Sequence, residues 1–387
     1  MADRPLFSPG SFYHTPGITH VCAAGESLPL KTHNNALEKY LNDKSAGHIG
    51  RTDQTQYLDD VRTLISQVWK TNDKNEVGFA PSVADGVSLI LESINWNDSD
   101  NICVHEDEFP SLVGPFALKH QQNATKKQTP EVRYYNSNNL KEVVNDRTRL
   151  IAVSYVSYFN SSRVDLSVYR QLADSVRAVL LVDFTQAAGY APIDASIADF
   201  AFSACYKWLL GTTGVAIAYW NQERNPDWRP VTGGWHSLGL GAVRTEWRTA
   251  RLNVRNDAMC FSRGNPAHLP IYILREALDY LNQWDASNIE KHVQTLTTTL
   301  LERLQLEGIS SSTPIEKARH GASVTVNCVG ASEIVNEMAK TGIYAWNGQG
   351  RVRFSFHGYN CLKDVNRIME VFPALWRKFN TGRSSKI

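Results

Sequence analysis

The stretch VLLVDFTQAAGYAPIDASIADFAFSACYKWLLGTTG, residues 179–214, is the part of the sequence that indicates the fold most clearly. It holds two short apolar runs, and each run is followed by a charged residue, first Asp183 and then Lys207. Burying either charge without a partner is costly, so the fold must bring a partner to each. Ligands of α/β sheets bind at the carboxyl ends of the strands, and both charges follow such ends. The stretch therefore predicts a ligand site between neighbouring strands.

The sequence on both sides of this stretch has the same pattern. Short β-rich runs alternate with amphipathic helical stretches, which favours an α/β fold with a mostly parallel sheet. Beyond Pro266, long helical patterns and then short strands indicate a smaller α+β unit. The seven strands that we predict for the sheet cover residues 76–80, 101–106, 131–136, 149–156, 178–184, 199–204 and 214–220.

These patterns divide the chain into three parts. Residues 1–50 have weak periodicity, and we expect them to pack on the two domains that follow. Residues 51–260 form the large α/β domain, and residues 261–387 form the small C-terminal α+β domain.

The composition narrows the class of protein. The chain has 387 residues and a formal net charge of +1, which gives no reason to expect a nucleic acid or an anionic membrane as partner. No apolar run approaches the ~20 residues needed to cross a bilayer. The six cysteines are far apart and the eleven histidines show no metal-ligand spacing. We therefore expect a reduced, cytoplasmic protein without a metal.

A carboxylate and a lysine that converge at one sheet edge suit pyridoxal 5'-phosphate. Its ring nitrogen needs an anionic partner and its aldehyde forms a Schiff base with a lysine. Apolar surroundings lower the pKa of a lysine, which makes the amine a usable nucleophile and base. The segment GFAPSVADGVSLIL, residues 78–91, predicts a helix that begins near Val83 with Ser82 as its N-cap. Such a helix N-terminus attracts an anion such as a phosphate.

Two motifs carry a family resemblance. VDFTQAAG, residues 182–189, followed by YKWLLGTTG, residues 206–214, resembles the class V aminotransferase group of fold type I pyridoxal-phosphate enzymes. That group includes cysteine desulfurases, kynureninases and isopenicillin N epimerase relatives. The resemblance extends from about residue 22 to residue 372 and implies a seven-stranded large domain that binds the cofactor.

The resemblance also implies roles for the two charged residues. Lys207 carries the Schiff base with the cofactor, and Asp183 pairs with the ring nitrogen. Gln186 hydrogen-bonds the ring hydroxyl. The other cofactor-binding residues that it implies are Ser82, the backbone amide of Val83, the Tyr206 hydroxyl for the phosphate, and Phe109, in EDEFPSLV (106–113), for stacking on the ring.

The C-terminal part supplies a substrate-binding candidate. Arg353 matches the group's R-x-S-x-x-x-Y-N pattern, whose arginine holds the substrate carboxylate, and a guanidinium binds a carboxylate bidentately. Arg351 has the same facing on the strand, so geometry allows either residue and only the pattern selects Arg353.

The resemblance further implies a homodimer with shared active sites. Trp235 and Asn265 lie in segments that reach the partner's cofactor phosphate in this group, although the group usually has threonine where Asn265 stands. Plain structural roles are the alternatives for four candidates: an N-cap for Ser82, core packing for Phe109, loop packing for Trp235 and a surface arginine for Arg353.

The predicted reaction starts from an amino acid that forms an external aldimine and then a Cα carbanion. A C–S lyase-like β-elimination is our first expectation, and transamination and epimerisation are the alternatives. Segment 342–354, GIYAWNGQGRVRF, lacks the reactive cysteine of desulfurases, which disfavours persulfide chemistry of that kind. A non-catalytic interaction protein of the same fold is the alternative from another class. The joint presence of Asp183, Gln186, Lys207 and Arg353 speaks against it.

Overall fold

The computed structural model describes residues 2–121, 129–239, 247–248 and 252–380. Its strands are β1 (Thr19–His20), β2 (Val77–Ala80), β3 (Asn101–His105), β4 (Glu131–Tyr135), β5 (Thr148–Ser154), β6 (Val179–Asp183), β7 (Phe200–Ala204), β8 (Ala216–Trp220), β9 (Ser323–Asn327), β10 (Ile343–Tyr344), β11 (Trp346–Gly348) and β12 (Arg351–Ser355). Its helices are α1 (His33–Ser45), α2 (Gly47–Val68), α3 (Val83–Ser93), α4 (Pro110–Gln121), α5 (Leu140–Val143), α6 (Leu166–Val176), α7 (His268–Leu281), α8 (Ala286–Leu306), α9 (Ala331–Lys340) and α10 (Leu362–Asn380).

The main sheet has seven strands in the order β2-β8-β7-β6-β5-β3-β4. The five strands from β7 to β4 run parallel to one another, whereas β8 is antiparallel to both β7 and β2. The predicted α/β fold with a mostly parallel seven-stranded sheet is therefore confirmed, and each predicted strand is present.

Burial on both faces explains why the central strands are continuous apolar runs. Alternate side chains of a strand point to opposite faces of the sheet. On β6, Leu180 and Val182 belong to one buried cluster and Leu181 to the other, and all three are fully buried. With both faces covered, the edge where these strands end is left for a ligand.

A smaller antiparallel sheet, β11-β12-β9, lies in the C-terminal part and packs with α8, α9 and α10 around a third cluster. The N-terminal segment contacts both parts: β1 pairs with β10, while α1 packs on α2 and α7. The division at residues 50 and 260 stays a prediction. Within the described ranges, every helix is too short or too polar to span a membrane.

The backbone at Gly189 explains why the VDFTQAAG motif ends in glycine. Its φ of +110° lies in a region that side chains rarely adopt, and a Cβ there would lie 2.1 Å from the carbonyl oxygen of Trp208. The backbone after β6 thus contacts the backbone after Lys207 without room for a side chain.

We expect Gly189→Ala to lower the free energy of unfolding by about 3 kcal/mol or more, because the added methyl meets backbone and the φ becomes strained. Urea unfolding measures this loss. Gly114→Ala is the matched control, since Gly114 lies inside α4 with nothing near its missing Cβ. It should be neutral or stabilising by about 0.5–1 kcal/mol. Equal stability of both variants would contradict this explanation of the motif.

Candidate active site

Two adjoining cavities lie at the carboxyl edge of the main sheet. The first, here called the lysine cavity, has a volume of about 300 Å³ and is lined by Asp183, Lys207 and the start of α3. The second, the arginine cavity, has about 210 Å³ and is lined by Arg351 and Arg353 of β12. Lys207 belongs to the lining of both cavities. The structure thus brings the predicted charged residues together at one site.

Lys207 is held by the tight loop that follows β7. The amide of Leu210 donates to the carbonyl of Lys207 at 3.0 Å, and Gly211 donates to that of Cys205 at 2.8 Å. The lysine is 5% exposed, and its Nζ lies 5.0 Å from the centre of the Phe109 ring. Burial lowers the pKa of Lys207 to about 8; the charge of Asp183 opposes this change.

This lowered pKa predicts how fast the apoprotein forms its covalent bond to pyridoxal phosphate. Only the neutral amine attacks an aldehyde, so the rate should rise with pH and level off above a midpoint near 8. Stopped-flow absorbance across pH 6–10 measures it. In Asp183→Asn the midpoint should fall further, because the charge that favours the ammonium form is gone. A midpoint near ~10.4, that of a free lysine, would contradict the argument.

Asp183 ends β6 and is buried beside the lysine. Its Oδ1 accepts from the amide of Thr185 at 2.8 Å. Burial raises the pKa of Asp183, while hydrogen bonds from Thr185 and the positive charge of Lys207 oppose the rise. A carboxylate in such surroundings is stabilised by a cationic group placed against it.

Gln186 lines both cavities, and its side-chain amide has a fixed orientation. Its Oε1 accepts from Nε1 of Trp208 at 3.0 Å, and its Nε2 donates to the carbonyl of Ala24 at 3.1 Å. An amide nitrogen carries two hydrogens, so Nε2 retains one donor for a ligand such as a ring hydroxyl.

The predicted phosphate end lies at the N-terminus of α3. Ser82 is the N-cap and Val83 the first helical residue, and both line the lysine cavity together with Tyr206. The Ser82 hydroxyl donates to the Asp85 carboxylate at 2.5 Å and accepts from the Asp85 amide at 3.2 Å. It would have to turn from Asp85 to bind a phosphate, whereas the amides of the first turn need no such change.

Phe109 lies on the lining of both cavities and makes an edge contact with Tyr158, with ring centres 4.9 Å apart. Its amide donates to the buried carboxylate of Glu108 at 3.2 Å. Glu108 also accepts from the amide and the hydroxyl of Ser154, at 2.7 and 2.6 Å. Burial raises the pKa of Glu108 to about 7. Glu108 thus fixes Phe109 against β5, a contact that sequence reasoning missed.

Arg353 lies on β12 and faces the arginine cavity. It is 9% exposed, and its Nη1 donates to the carbonyl of Tyr158 at 2.9 Å. Burial lowers the pKa of Arg353 to about 10, and the neighbouring Arg351 adds to this effect. A guanidinium in this position is suited to a carboxylate that enters the cavity.

Trp235 and Asn265 lie outside the lining of both cavities. Trp235 is 58% exposed and packs edge-on against His236. The side-chain oxygen of Asn265 accepts from Arg51 at 2.6 Å. Their contact with the phosphate across a dimer stays a prediction.

Sequence reasoning also missed Thr185, Trp208 and Glu26. Thr185 ties the ends of β6 and β7 together: its amide donates to Asp183 and its Oγ1 accepts from Ala204 at 2.9 Å. Thr185 and Trp208 lie within the two motifs, next to residues with predicted roles, and this position could have indicated a role for them. Glu26, on the lining of both cavities, has no comparable signal.

The residues present fit pyridoxal phosphate. The lysine cavity offers a lysine with a lowered pKa and a buried acid that gains from a cationic partner. It also offers an aromatic ring beside the amine and a helix N-terminus. No cluster of three or more histidine, cysteine, aspartate or glutamate side chains suited to a metal occurs in the described part of the chain.

Comparison with known proteins agrees with this site. The Aminotransferase class-V family profile matches residues 27–368. A protein of Bacillus subtilis named uncharacterized aminotransferase YcbU is 23% identical over 308 residues, 78% of this chain and 79% of its own. A probable cysteine desulfurase of Streptomyces coelicolor is 22% identical over 310 residues, 75% of this chain and 72% of its own.

Solved structures share the fold. A cysteine desulfurase of Thermococcus onnurineus superposes with a TM-score of 0.85 at 18% identity, over 95% of this chain and 97% of its own. A cystine C–S lyase superposes with a TM-score of 0.81 at 17% identity, over 94% and 98% of the two chains. The predicted fold type I is confirmed. The chain therefore belongs to the Aminotransferase class-V family and is an enzyme that depends on pyridoxal phosphate.

Proposed function

We propose that the chain is a lyase that eliminates a sulfur-containing or other leaving group from the β-carbon of an amino acid. The observation that carries the proposal is that Lys207 lines both cavities, the lysine cavity together with Asp183 and the arginine cavity together with Arg353. An amino acid held by its carboxylate at Arg353 has its α-carbon directed towards the lysine amine.

Lys207 and Arg353 divide the work at the substrate. Arg353 binds the carboxylate and so orients the bond from Cα to hydrogen. Nζ of Lys207 accepts the proton from Cα, and its pKa of about 8 leaves a share of the amine neutral near pH 7–8. When bound, pyridoxal phosphate would supply the electron sink that stabilises the pair left at Cα. That pair forms the Cα–Cβ double bond as the bond from Cβ to sulfur breaks, and sulfur leaves with the electrons of the broken bond.

Asp183 and Phe109 act on the cofactor side. Asp183 would be the anionic partner of the cofactor's ring nitrogen and would favour its protonated form, since burial strengthens a charge pairing. Phe109 supplies an aromatic face next to the amine. Together with Gln186 these residues would hold the cofactor ring.

The cysteines support a lyase without a protein-bound persulfide. All six are buried and none is in a disulfide. Burial raises the pKa of Cys22 and of Cys205 to about 12, so neither thiol is a ready nucleophile. Sulfur therefore leaves with the substrate's own fragment. The likeness to a protein described as a cystine C–S lyase supports the same reaction class.

Product analysis tests the proposal. Holoenzyme is incubated with a panel of amino acids that carry sulfur, oxygen or no leaving group at Cβ. A lyase releases ammonia and a keto acid in equal amounts from the members that carry a leaving group at Cβ, and from none of those that lack one. Accumulation of the pyridoxamine form without ammonia would instead assign transamination, the activity that the name of the B. subtilis relative describes. Inversion at Cα without product release would assign epimerisation.

We also propose a cytoplasmic homodimer with shared active sites. Large apolar side chains are exposed on one segment, with Val231 at 64%, Trp235 at 58% and Trp247 at 63%. Large exposed apolar side chains such as these are enriched at protein–protein interfaces. Six unpaired cysteines suit a reducing compartment. Light scattering of the holoenzyme distinguishes a dimer from a monomer, and a monomeric active enzyme would contradict the shared-site arrangement.

A further inference from the structure

Two arginines, not one, face the arginine cavity. Arg351 and Arg353 are two residues apart on β12, so their side chains leave the same face with about 7 Å between their backbones. Both are buried, Arg351 at 6% exposure and Arg353 at 9%. One carboxylate of an amino acid requires only one of them.

Each guanidinium keeps a buried nitrogen without a hydrogen-bond partner. For Arg351 this is Nη1, and for Arg353 it is Nε. Three contacts hold the Arg351 side chain. Nη2 donates to Gln349 Oε1 at 2.7 Å, and the guanidinium lies 3.6 Å from the centre of the Phe159 ring and 5.6 Å from that of Tyr158. An unsatisfied buried donor is costly, so a ligand that accepts from it binds with that cost removed.

The charge of the cavity also favours an anion. Its lining carries three cationic side chains, Lys207, Arg351 and Arg353, against the single carboxylate of Glu26. After Arg353 has paired with the α-carboxylate of a substrate, Arg351 still presents a positive charge to the remainder of that molecule.

We infer that Arg351 binds a second anionic group at the end of the substrate's side chain, while Arg353 holds the α-carboxylate. The substrate class is then an acidic amino acid whose side chain carries a terminal carboxylate or similar oxyanion. In one respect the inference rests on the proposed function: it places the second anionic group beyond the bond that the enzyme cleaves. The binding part does not depend on which reaction follows.

Calorimetric titration of the holoenzyme with unreactive ligands tests the binding part. Glutarate and valerate have five carbons each and differ by one carboxylate. Glutarate should bind at least about 30-fold more tightly, the loss expected when one partner of a buried charge pair is missing. Equal affinity for the two ligands would overturn the inference.

Three variants assign the effect to Arg351. Arg351→Gln should lose the preference for glutarate and keep the wild-type affinity for valerate. Arg353→Gln should lower the affinity for both ligands. Arg303→Gln removes one charge from a half-buried side chain that bonds Asn366 and lines neither cavity, and both affinities should stay unchanged. Arg351→Lys replaces Arg351→Gln if the latter does not fold, and it should lose part of the preference.

A retained preference in Arg351→Gln would overturn the inference. An equal loss of affinity for both ligands would also overturn it, because Arg351 would then have a purely structural role, its packing on the Phe159 ring. Turnover separates the two proposals: with acidic substrates Arg351→Gln should raise KM, and with neutral substrates it should not. If the glutarate preference depends on Arg351 but no elimination products form, the proposed function fails and the substrate class stands.

Discussion

Lys207→Ala lowers turnover by at least about 1000-fold in our account, because the change removes both the covalent anchor of the cofactor and the base that takes the α-proton. A positioned general base alone contributes about 100- to 10,000-fold. Lys207 is the cationic side chain that lines both cavities and reaches the Phe109 ring. The measurement is kcat with the best substrate of the panel at saturating pyridoxal phosphate.

Two controls separate this effect from misfolding or loss of charge. Lys207→Arg keeps a cation but cannot form a Schiff base, so it should be as inactive as the alanine variant. Lys340→Ala removes an exposed lysine that pairs with Glu337, and it should retain full turnover. A tenth or more of wild-type turnover in a well-folded Lys207→Ala variant would contradict the assigned role.

Asp183→Asn should lower kcat/KM by about 100- to 1000-fold, the range found when one group that stabilises charge in a buried site is removed. The neutral amide keeps the shape of the side chain and can still accept from the Thr185 amide, but it cannot pair with a protonated ring nitrogen. Less electron density is then withdrawn from Cα. Steady-state kinetics with the same substrate measure the loss.

The covalent link to the cofactor should survive in this variant, which distinguishes it from Lys207→Ala. Asp194→Asn is the matched control, since Asp194 is an exposed N-cap on the connection after the same strand, and asparagine caps as well. It should leave kcat/KM unchanged. A change of less than about threefold in Asp183→Asn would show that the buried carboxylate does not act on the reaction.

The sheet could be predicted from sequence because its central strands are buried on both faces. β5, β6 and β7 are short apolar runs, and such runs between helical stretches have few other structures open to them. The reversed direction of β8 was not predicted. A signal was available: the connection from Ala204 to Ala216 is too short to hold the crossover helix that a parallel strand requires.

The site could be predicted where a charge interrupts an apolar run, as at Asp183 and Lys207. Contacts between segments that are far apart in the sequence could not be predicted. Glu108 against Ser154 joins residues 46 apart, and Arg353 against Tyr158 joins residues 195 apart. Such pairs are set by tertiary packing and leave no local pattern. The bond of the Ser82 hydroxyl to Asp85 is local, and the S-x-x-D spacing was a signal for it that our sequence analysis did not use.

The roles predicted for Trp235 and Asn265 require a second copy of the chain. Neither side chain lines the cavities of its own chain; Trp235 is exposed and Asn265 is bonded to Arg51. A sequence motif gives the position of a residue in its own chain only, and assembly adds the rest.

Peptide mapping after borohydride reduction identifies the residue that binds the cofactor covalently, which we assign as Lys207. Reduction of the holoenzyme converts the Schiff base into a stable secondary amine, and mass spectrometry of a proteolytic digest locates it. We expect the peptide containing the Tyr206-Lys207-Trp208 sequence to carry the pyridoxyl phosphate group, on the lysine. A digest in which that peptide is unmodified, or in which another lysine carries the group, would contradict the account.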